Sequence, residues 1–97
     1  MARLLSIIGL SNISADIYFK NQMLNQANKA CKSARKHYQG DKRAEKLMEW
    51  ASKFESQLEY ELAMDYYRDA YDCAQSLKVN QKVVKRKLEC NRRKKQP

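Results

Sequence analysis

Residues that interrupt helices are almost absent from this chain of 97 residues. It contains two glycines, Gly9 and Gly40, and its single proline, Pro97, is the last residue, so no helix is interrupted by proline. Good helix formers such as alanine, lysine, glutamine and leucine are plentiful, and no alternating pattern is long enough to form a strand. The chain is therefore predicted to be all-α, a small bundle of three to four helices.

Apolar residues that recur three and four positions apart predict four helices, at about residues 14–38, 42–56, 59–77 and 80–91. Ser14 is the predicted N-cap of the first helix, and Gly40 is predicted to end it in the left-handed conformation. Asp41 and Asn80 are predicted to cap the second and fourth helices.

The two central helices have the best-defined packing face, in which large and small residues alternate. Its predicted core is Trp50, Phe54, Tyr60, Ala63, Tyr67 and Ala70. The same periodicity places Leu58 at the end of the apolar stripe of the second helix and Leu77 at the end of that of the third. It places Leu88 on a thin apolar edge of the fourth helix.

The two ends of the chain are predicted to lie outside this helical domain. Residues 1–13 form an apolar strap that packs on the domain or faces a partner, and the charged residues 92–97 form a disordered tail. The first residues, MARLLSIIGLSNISA, imitate a signal peptide, but the apolar run is short and Ile13 fits the cleavage site badly. No stretch approaches the roughly 20 apolar residues of a membrane span. We therefore predict a cytoplasmic protein, with association through residues 1–13 and nearby cations as the membrane alternative.

Charge is divided into three blocks along the chain, although the net charge is +9. Residues 1–46 contain nine lysines and arginines against three acids, residues 47–77 contain two against seven, and residues 78–97 contain nine against one. The acidic middle block predicts a protein-binding face on the third helix, formed by Glu61, Asp65, Arg68, Asp69 and Asp72. The basic last block predicts nucleic-acid binding as an alternative, through Lys82, Lys85, Arg86, Lys87, Arg92, Arg93, Lys94 and Lys95.

The sequence contains no recognisable catalytic or metal-binding constellation. The three cysteines, Cys31, Cys73 and Cys90, form no Cys-x-x-Cys pair, His37 is the only histidine, and no glycine-rich phosphate loop is present. We predict a protein that is not an enzyme and binds no metal or cofactor. Cys90, which lies among arginines and lysines, is the best candidate for a reactive thiol.

The second and third predicted helices resemble a single tetratricopeptide hairpin. The residues that match its spacing are Leu47, Trp50, Ala51, Phe54, Tyr60, Ala63, Tyr67 and Ala70. Leu58 stands where the repeat has its turn glycine, and Gln75 stands where it has its closing proline.

A second resemblance covers residues 51–93. The matching residues are Glu55, Tyr60, Ala63, Met64, Tyr67, Ala70, Ala74, Asn80 and the closing RKLEC with Arg86 and Cys90. This pattern is similar to the small AraC-negative-regulator (ANR) family, and its PerC-like relatives, of enteric bacteria and their phages. The chain departs from it at Leu58 (usually glycine), Met64 (alanine), Tyr67 (tryptophan) and Val83 (a later aromatic residue).

The resemblance implies a helical regulator that binds a transcription activator or other host protein and modulates or inhibits it. Direct binding of nucleic acid by the basic C-terminal segment is the alternative function. A homodimer is an open alternative for the oligomeric state.

Overall fold

The computed structural model describes residues 13–96. Within this range the chain forms five α-helices and no strand, so the all-α prediction is confirmed. The helices are α1 (residues 13–20), α2 (Leu24–Ala34), α3 (Gly40–Ser56), α4 (Tyr60–Cys73) and α5 (Leu77–Lys95), with a 3-10 helix at Arg35–His37 after α2. Of the predicted apolar strap, only Ile13 is among the described residues, and it belongs to α1.

The chain divides into two compact units, Met1–Tyr38 and Gln39–Pro97, where the sequence predicted one helical domain over residues 14–91. In the first unit, α1 and α2 bury Ala15, Phe19, Ala27, Cys31 and Ala34. The second unit is a bundle of three helices, because α3 packs on α4, α4 packs on α5, and α5 also contacts α3.

The predicted continuous helix over residues 14–38 is wrong. It is interrupted after residue 20, where Gln22 adopts the left-handed conformation with φ 58°. The amide of Gln22 donates to the carbonyl of Phe19 (3.1 Å) and the amide of Met23 donates to the carbonyl of Tyr18 (2.8 Å). This pair of bonds is a Schellman motif, which closes a helix by satisfying its last carbonyl groups. Glycine usually occupies the left-handed position, so no residue in the sequence signals this break.

The core of the second unit is aromatic and lies between α3 and α4. Tyr66 packs edge-on against Trp50, with ring centroids 6.5 Å apart, and at a tilt against Phe54, at 5.1 Å. Five of the six predicted core residues are buried: Trp50, Phe54, Ala63, Tyr67 and Ala70. The sixth, Tyr60, is only half-buried because it is the first residue of α4, at the margin of the packed face. The buried Tyr66 was missed by the sequence-based assignment of the core.

A second Schellman motif joins α3 to α4. Leu58 takes the left-handed conformation, with φ 65°, and its amide donates to the carbonyl of Glu55 (3.0 Å) while the amide of Glu59 donates to the carbonyl of Phe54 (3.0 Å). Leu58 therefore adopts the conformation for which the two resembled patterns use glycine. Its side chain is 73% exposed, so the prediction that it extends the packed stripe is wrong.

The boundaries of α4 and α5 also differ from the prediction. α4 ends at Cys73 because Ala74 is extended, and α5 begins at Leu77, so Leu77 does not belong to the stripe of α4. Ser76, and not Asn80, is the N-cap of α5, and its hydroxyl accepts from the amide of Val79 at 3.2 Å. At the other end α5 continues to Lys95, through most of the segment predicted to be a disordered tail.

Candidate functional site

The start of α5 is fixed by a carboxylate from the start of α3. Asp41 accepts hydrogen bonds from the amides of Gln75 (2.7 Å) and Ser76 (3.0 Å). These donors hold the pKa of Asp41 below its usual range, the bond from Ser76 contributing most. Asp41 was predicted to cap its own helix, but α3 begins at Gly40, with φ +57°, and Asp41 instead ties the loop between α4 and α5 to α3.

The end of α5 is fixed by two ion pairs. Arg93 pairs with Glu55 of α3, and Lys94 pairs with Glu61 of α4. The hydrogen bond and charge of Lys94 lower the pKa of Glu61, and the contact with Glu55 raises the pKa of Arg93. These pairs explain why the helix persists into a segment whose composition alone predicted disorder.

Glu55 is the centre of a buried polar cluster. It is the only buried charged residue among those described, at 7% exposure. Besides Arg93, its carboxylate accepts a hydrogen bond from the hydroxyl of Tyr67 at 3.1 Å. Burial raises the pKa of Tyr67 to about 12, although Arg86 partly offsets the effect, and burial with the charge of Glu55 raises the pKa of Cys90 to about 11. Both groups are therefore neutral near pH 7, and neither is activated as a nucleophile.

This cluster unites residues that carry the resemblance to the ANR pattern. The acidic residue before the turn, the aromatic residue of α4, and the closing Arg-x-x-x-Cys all meet here, as Glu55, Tyr67, Arg86 and Cys90. In this chain the four residues lie where α5 attaches to the hairpin of α3 and α4. Cys90 was predicted to be the best candidate for a reactive thiol, but it is fully buried and its pKa is raised, and both features argue against that role.

A groove between α3 and α5 lies beside the cluster. It has two adjoining parts of about 340 and 350 Å³, which share Ser52, Lys82 and Arg86. Acidic residues, among them Glu55 in one part and Glu49 in the other, lie between the cations. The groove therefore presents no uniformly positive field to an anion.

The opposite side of α5 carries an apolar stripe whose side chains are exposed to different degrees. Leu77, Val84 and Leu88 are 71%, 37% and 64% exposed, whereas Val79 and Val83 are buried against the bundle. With about 100° between successive helical residues, positions 77, 84 and 88 lie within about 40° of one another and span about 17 Å. The sequence had assigned Leu77 and Leu88 to packing, and the structure leaves both in solvent. We call this stripe the outer face of α5.

Cations flank the outer face on both edges. Lys78, Lys85 and Arg92 recur every seven residues and form one row, and all three are exposed. Lys87 and Lys94 lie at the other edge, where the ammonium group of Lys87 sits 5.8 Å from the ring centroid of Tyr71. The described part of α5 contains one acidic residue, Glu89.

The eight predicted nucleic-acid-binding residues do not form one surface. Arg93 and Lys94 pair with acids of the bundle, Lys87 lies over Tyr71, and Arg86 lines the groove. The remaining four, Lys82, Lys85, Arg92 and Lys95, are exposed, although Lys82 and Lys85 also line the groove.

The predicted acidic face of α4 is present but partly neutralised within the chain. Asp65 pairs with Arg68 at 2.9 Å and Glu61 pairs with Lys94. Asp72 is exposed, whereas Asp69 is half-buried. These contacts reduce the charge that the face offers to a basic partner.

No protein-family model, curated protein or solved structure matches the chain. Over residues 13–96, no helix is long and apolar enough to cross a membrane. The same residues contain no group of three or more histidines, cysteines or acids that could hold a metal ion.

Proposed function

We propose that this chain is a small non-enzymatic regulatory protein that binds a protein partner through the outer face of α5. The observation that carries the proposal is the exposure of Leu77, Val84 and Leu88 along one side of a helix whose other side is packed. Exposed apolar side chains that form a continuous stripe mark interaction sites more often than isolated ones do.

The attachment of α5 supports this use. The Ser76 cap and the bonds to Asp41 fix its first turn, and Glu55 and Glu61 bind its last turns. A helix held at both ends presents its outer face without further ordering, which reduces the entropy lost on binding. The fixed position of α5 and the resemblance to small regulators together favour a cytoplasmic protein that binds a transcription activator or other host protein and inhibits it.

Site-specific photo-cross-linking tests the proposal. A photoreactive residue is placed at position 84 on α5 or, as a matched probe, at position 65 on the acidic face of α4, and each protein is irradiated in a bacterial lysate. We expect a nuclease-resistant protein adduct from position 84, which disappears when Leu77 and Leu88 are replaced by glutamine. An adduct from position 65 alone would move the site to the acidic face of α4.

The second candidate function is nucleic-acid binding by the exposed row of Lys78, Lys85 and Arg92 with neighbouring Lys82 and Lys95. Phosphate binding by this row predicts an affinity for duplex DNA or RNA that falls steeply with salt, by a slope of about 0.9 per phosphate contact in a plot of log affinity against log salt concentration. Fluorescence anisotropy measures this slope. The apolar stripe beside the row has no use in phosphate binding, which is why we favour a protein partner.

A further inference from the structure

We infer that the element bound by the outer face of α5 is an acidic amphipathic helix of the partner protein. This inference rests on the proposed function and adds the chemistry of the partner. It uses the shape of the apolar stripe and the sign of the charge on its two edges.

The shape of the stripe fits a helix. Leu77, Val84 and Leu88 extend along about 17 Å, which equals about three helical turns. A partner helix with apolar residues three and four positions apart lays a stripe of the same length alongside it, as in the packing of helices within a protein. Tyr71, which is 45% exposed and lies beside Lys87, widens the apolar surface at one edge.

The charge at the edges determines the sign of the partner. Lys78, Lys85 and Arg92 flank one side of the stripe and are exposed, and Lys87, which lies over Tyr71, flanks the other. Lys94 is also on that second side, but it already pairs with Glu61. Glutamates or aspartates at the corresponding positions of a partner helix would lie opposite these cations. Charge complementarity of this kind favours an acidic partner and repels a basic one.

The same charges argue against a second copy of this chain on the outer face. Residues 78–97 contain nine lysines and arginines and one glutamate. Pairing two α5 helices through their outer faces would bring two strongly positive segments together, with like charges along both edges of the contact. The apolar gain from three side chains per copy would be opposed by this repulsion.

Three synthetic peptides of about 18 residues, or five helical turns, test the inference. The first has leucines three and four positions apart with glutamates at both edges. The second has lysines in place of those glutamates, and the third keeps the glutamates but has glutamines in place of the leucines. We expect the full chain to bind the first peptide at least about tenfold more tightly than either of the others, as measured by fluorescence anisotropy.

Two variants of the chain separate the contributions of the stripe and the charge. The stripe variant carries Leu77→Gln, Val84→Gln and Leu88→Gln, which remove exposed apolar side chains and keep a good helix former at each position. The edge variant carries Lys78→Gln, Lys85→Gln and Arg92→Gln. We expect each variant to lose about tenfold or more in affinity for the first peptide, and the edge variant to lose most of the salt dependence.

A control variant with the same loss of net charge carries Lys20→Gln, Lys36→Gln and Lys42→Gln, which are exposed residues outside α5. It should bind the first peptide as the unaltered chain does. Circular dichroism confirms that each variant remains helical. If the first and second peptides bind equally, or the control variant weakens binding as much as the edge variant, the acidic character of the partner is refuted.

The inference and the proposed function fail in different ways. If the full chain binds none of the peptides, the acidic-helix inference is overturned, whereas the photo-adduct at position 84 still decides whether a protein uses the outer face. If that adduct forms but the captured protein is retained by the edge variant and lost by the stripe variant, the proposed function stands and the acidic partner is excluded.

Discussion

Replacing Glu55 with alanine is expected to destabilise the second unit mainly through the hydroxyl group that the substitution leaves behind. Tyr67 is 1% exposed, and the carboxylate of Glu55 accepts its hydrogen bond at 3.1 Å. Arg86 lies near the hydroxyl but, being only a donor, cannot accept its proton. A buried donor without an acceptor costs about 1–3 kcal/mol, and the lost methylene group adds about 0.8 kcal/mol.

The expected loss in the free energy of unfolding is therefore about 2–4 kcal/mol. At about 4–8 °C per kcal/mol for a domain of this size, the melting temperature should fall by roughly 10 °C or more. Glu45→Ala, which removes an exposed carboxylate on the same helix, is the matched control and should change stability by less than about 0.5 kcal/mol.

A double-mutant cycle isolates the stranded hydroxyl. Tyr67→Phe alone removes one hydrogen bond and should cost about 0.5–1.5 kcal/mol. In the Tyr67→Phe background no hydroxyl is left without an acceptor, so Glu55→Ala should cost at least about 1 kcal/mol less than it does in the unaltered chain. The assay is urea unfolding followed by circular dichroism. Additivity of the two substitutions within about 0.5 kcal/mol would refute the reasoning, because independent sites behave in that way.

Three further predictions concern the pH dependence, the thiols and the backbone. The pKa of Asp41 is lower in the folded state than in the unfolded state. Its contribution to stability is therefore complete above the unfolded pKa near 4 and is lost as the pH falls through the folded pKa. In the Asp41→Asn variant, the melting temperature should fall less steeply as the pH is lowered through this range. Cys73 is the half-buried thiol and should react with a disulfide reagent at about pH 8 well before the two buried thiols. Cys90 should react at a rate no greater than the rate of the opening that exposes it. Mass spectrometry at successive times measures both rates. Gly40→Ala should lower the urea midpoint by an amount equivalent to about 1–2 kcal/mol, because residue 40 has a φ of +57°, which disfavours a side chain. The new Cβ would also lie 2.7 Å from the side chain of Gln75. Adding Gln75→Ala should therefore recover only the part of the loss that comes from this close contact.

The sequence predicted the helical hairpin well because its signal is local. On α3 and α4, residues spaced three and four apart face the core, and Trp50, Phe54, Ala63 and Ala70 all obey that rule. The spacing rule identifies apolar positions on a helix, but it does not show which sides of that helix other helices cover. Leu77 and Leu88 satisfy the pattern of a packed residue, yet a three-helix bundle covers only the inner side of α5, so both remain exposed. Their separation of eleven residues, with cations beside them, was the signal available for an outer face.

Long-range polar contacts were beyond the reach of periodicity. Asp41 is 34 residues from Gln75, and Glu55 is 38 residues from Arg93. The first contact changed the role of a predicted cap, and the second extended α5 through residues predicted to be disordered. The break at Gln22 could not be predicted for a different reason, since the left-handed residue there is not glycine.

The contact between Glu55 and Tyr67 also offers a physical reason for the pattern through which this chain resembles the ANR regulators. That pattern has an acidic residue before the turn and tryptophan where this chain has Tyr67. Tryptophan and tyrosine share one property that phenylalanine lacks, a single polar hydrogen at the far edge of a large ring, which a buried carboxylate can accept. We therefore expect Tyr67→Trp to preserve a coupling energy with Glu55 of about 1 kcal/mol, even though the larger ring lowers the absolute stability of a closely packed site by about 1–3 kcal/mol. A Tyr67→Trp variant whose stability responds additively to Glu55→Ala would show that tryptophan at this position does not donate to Glu55.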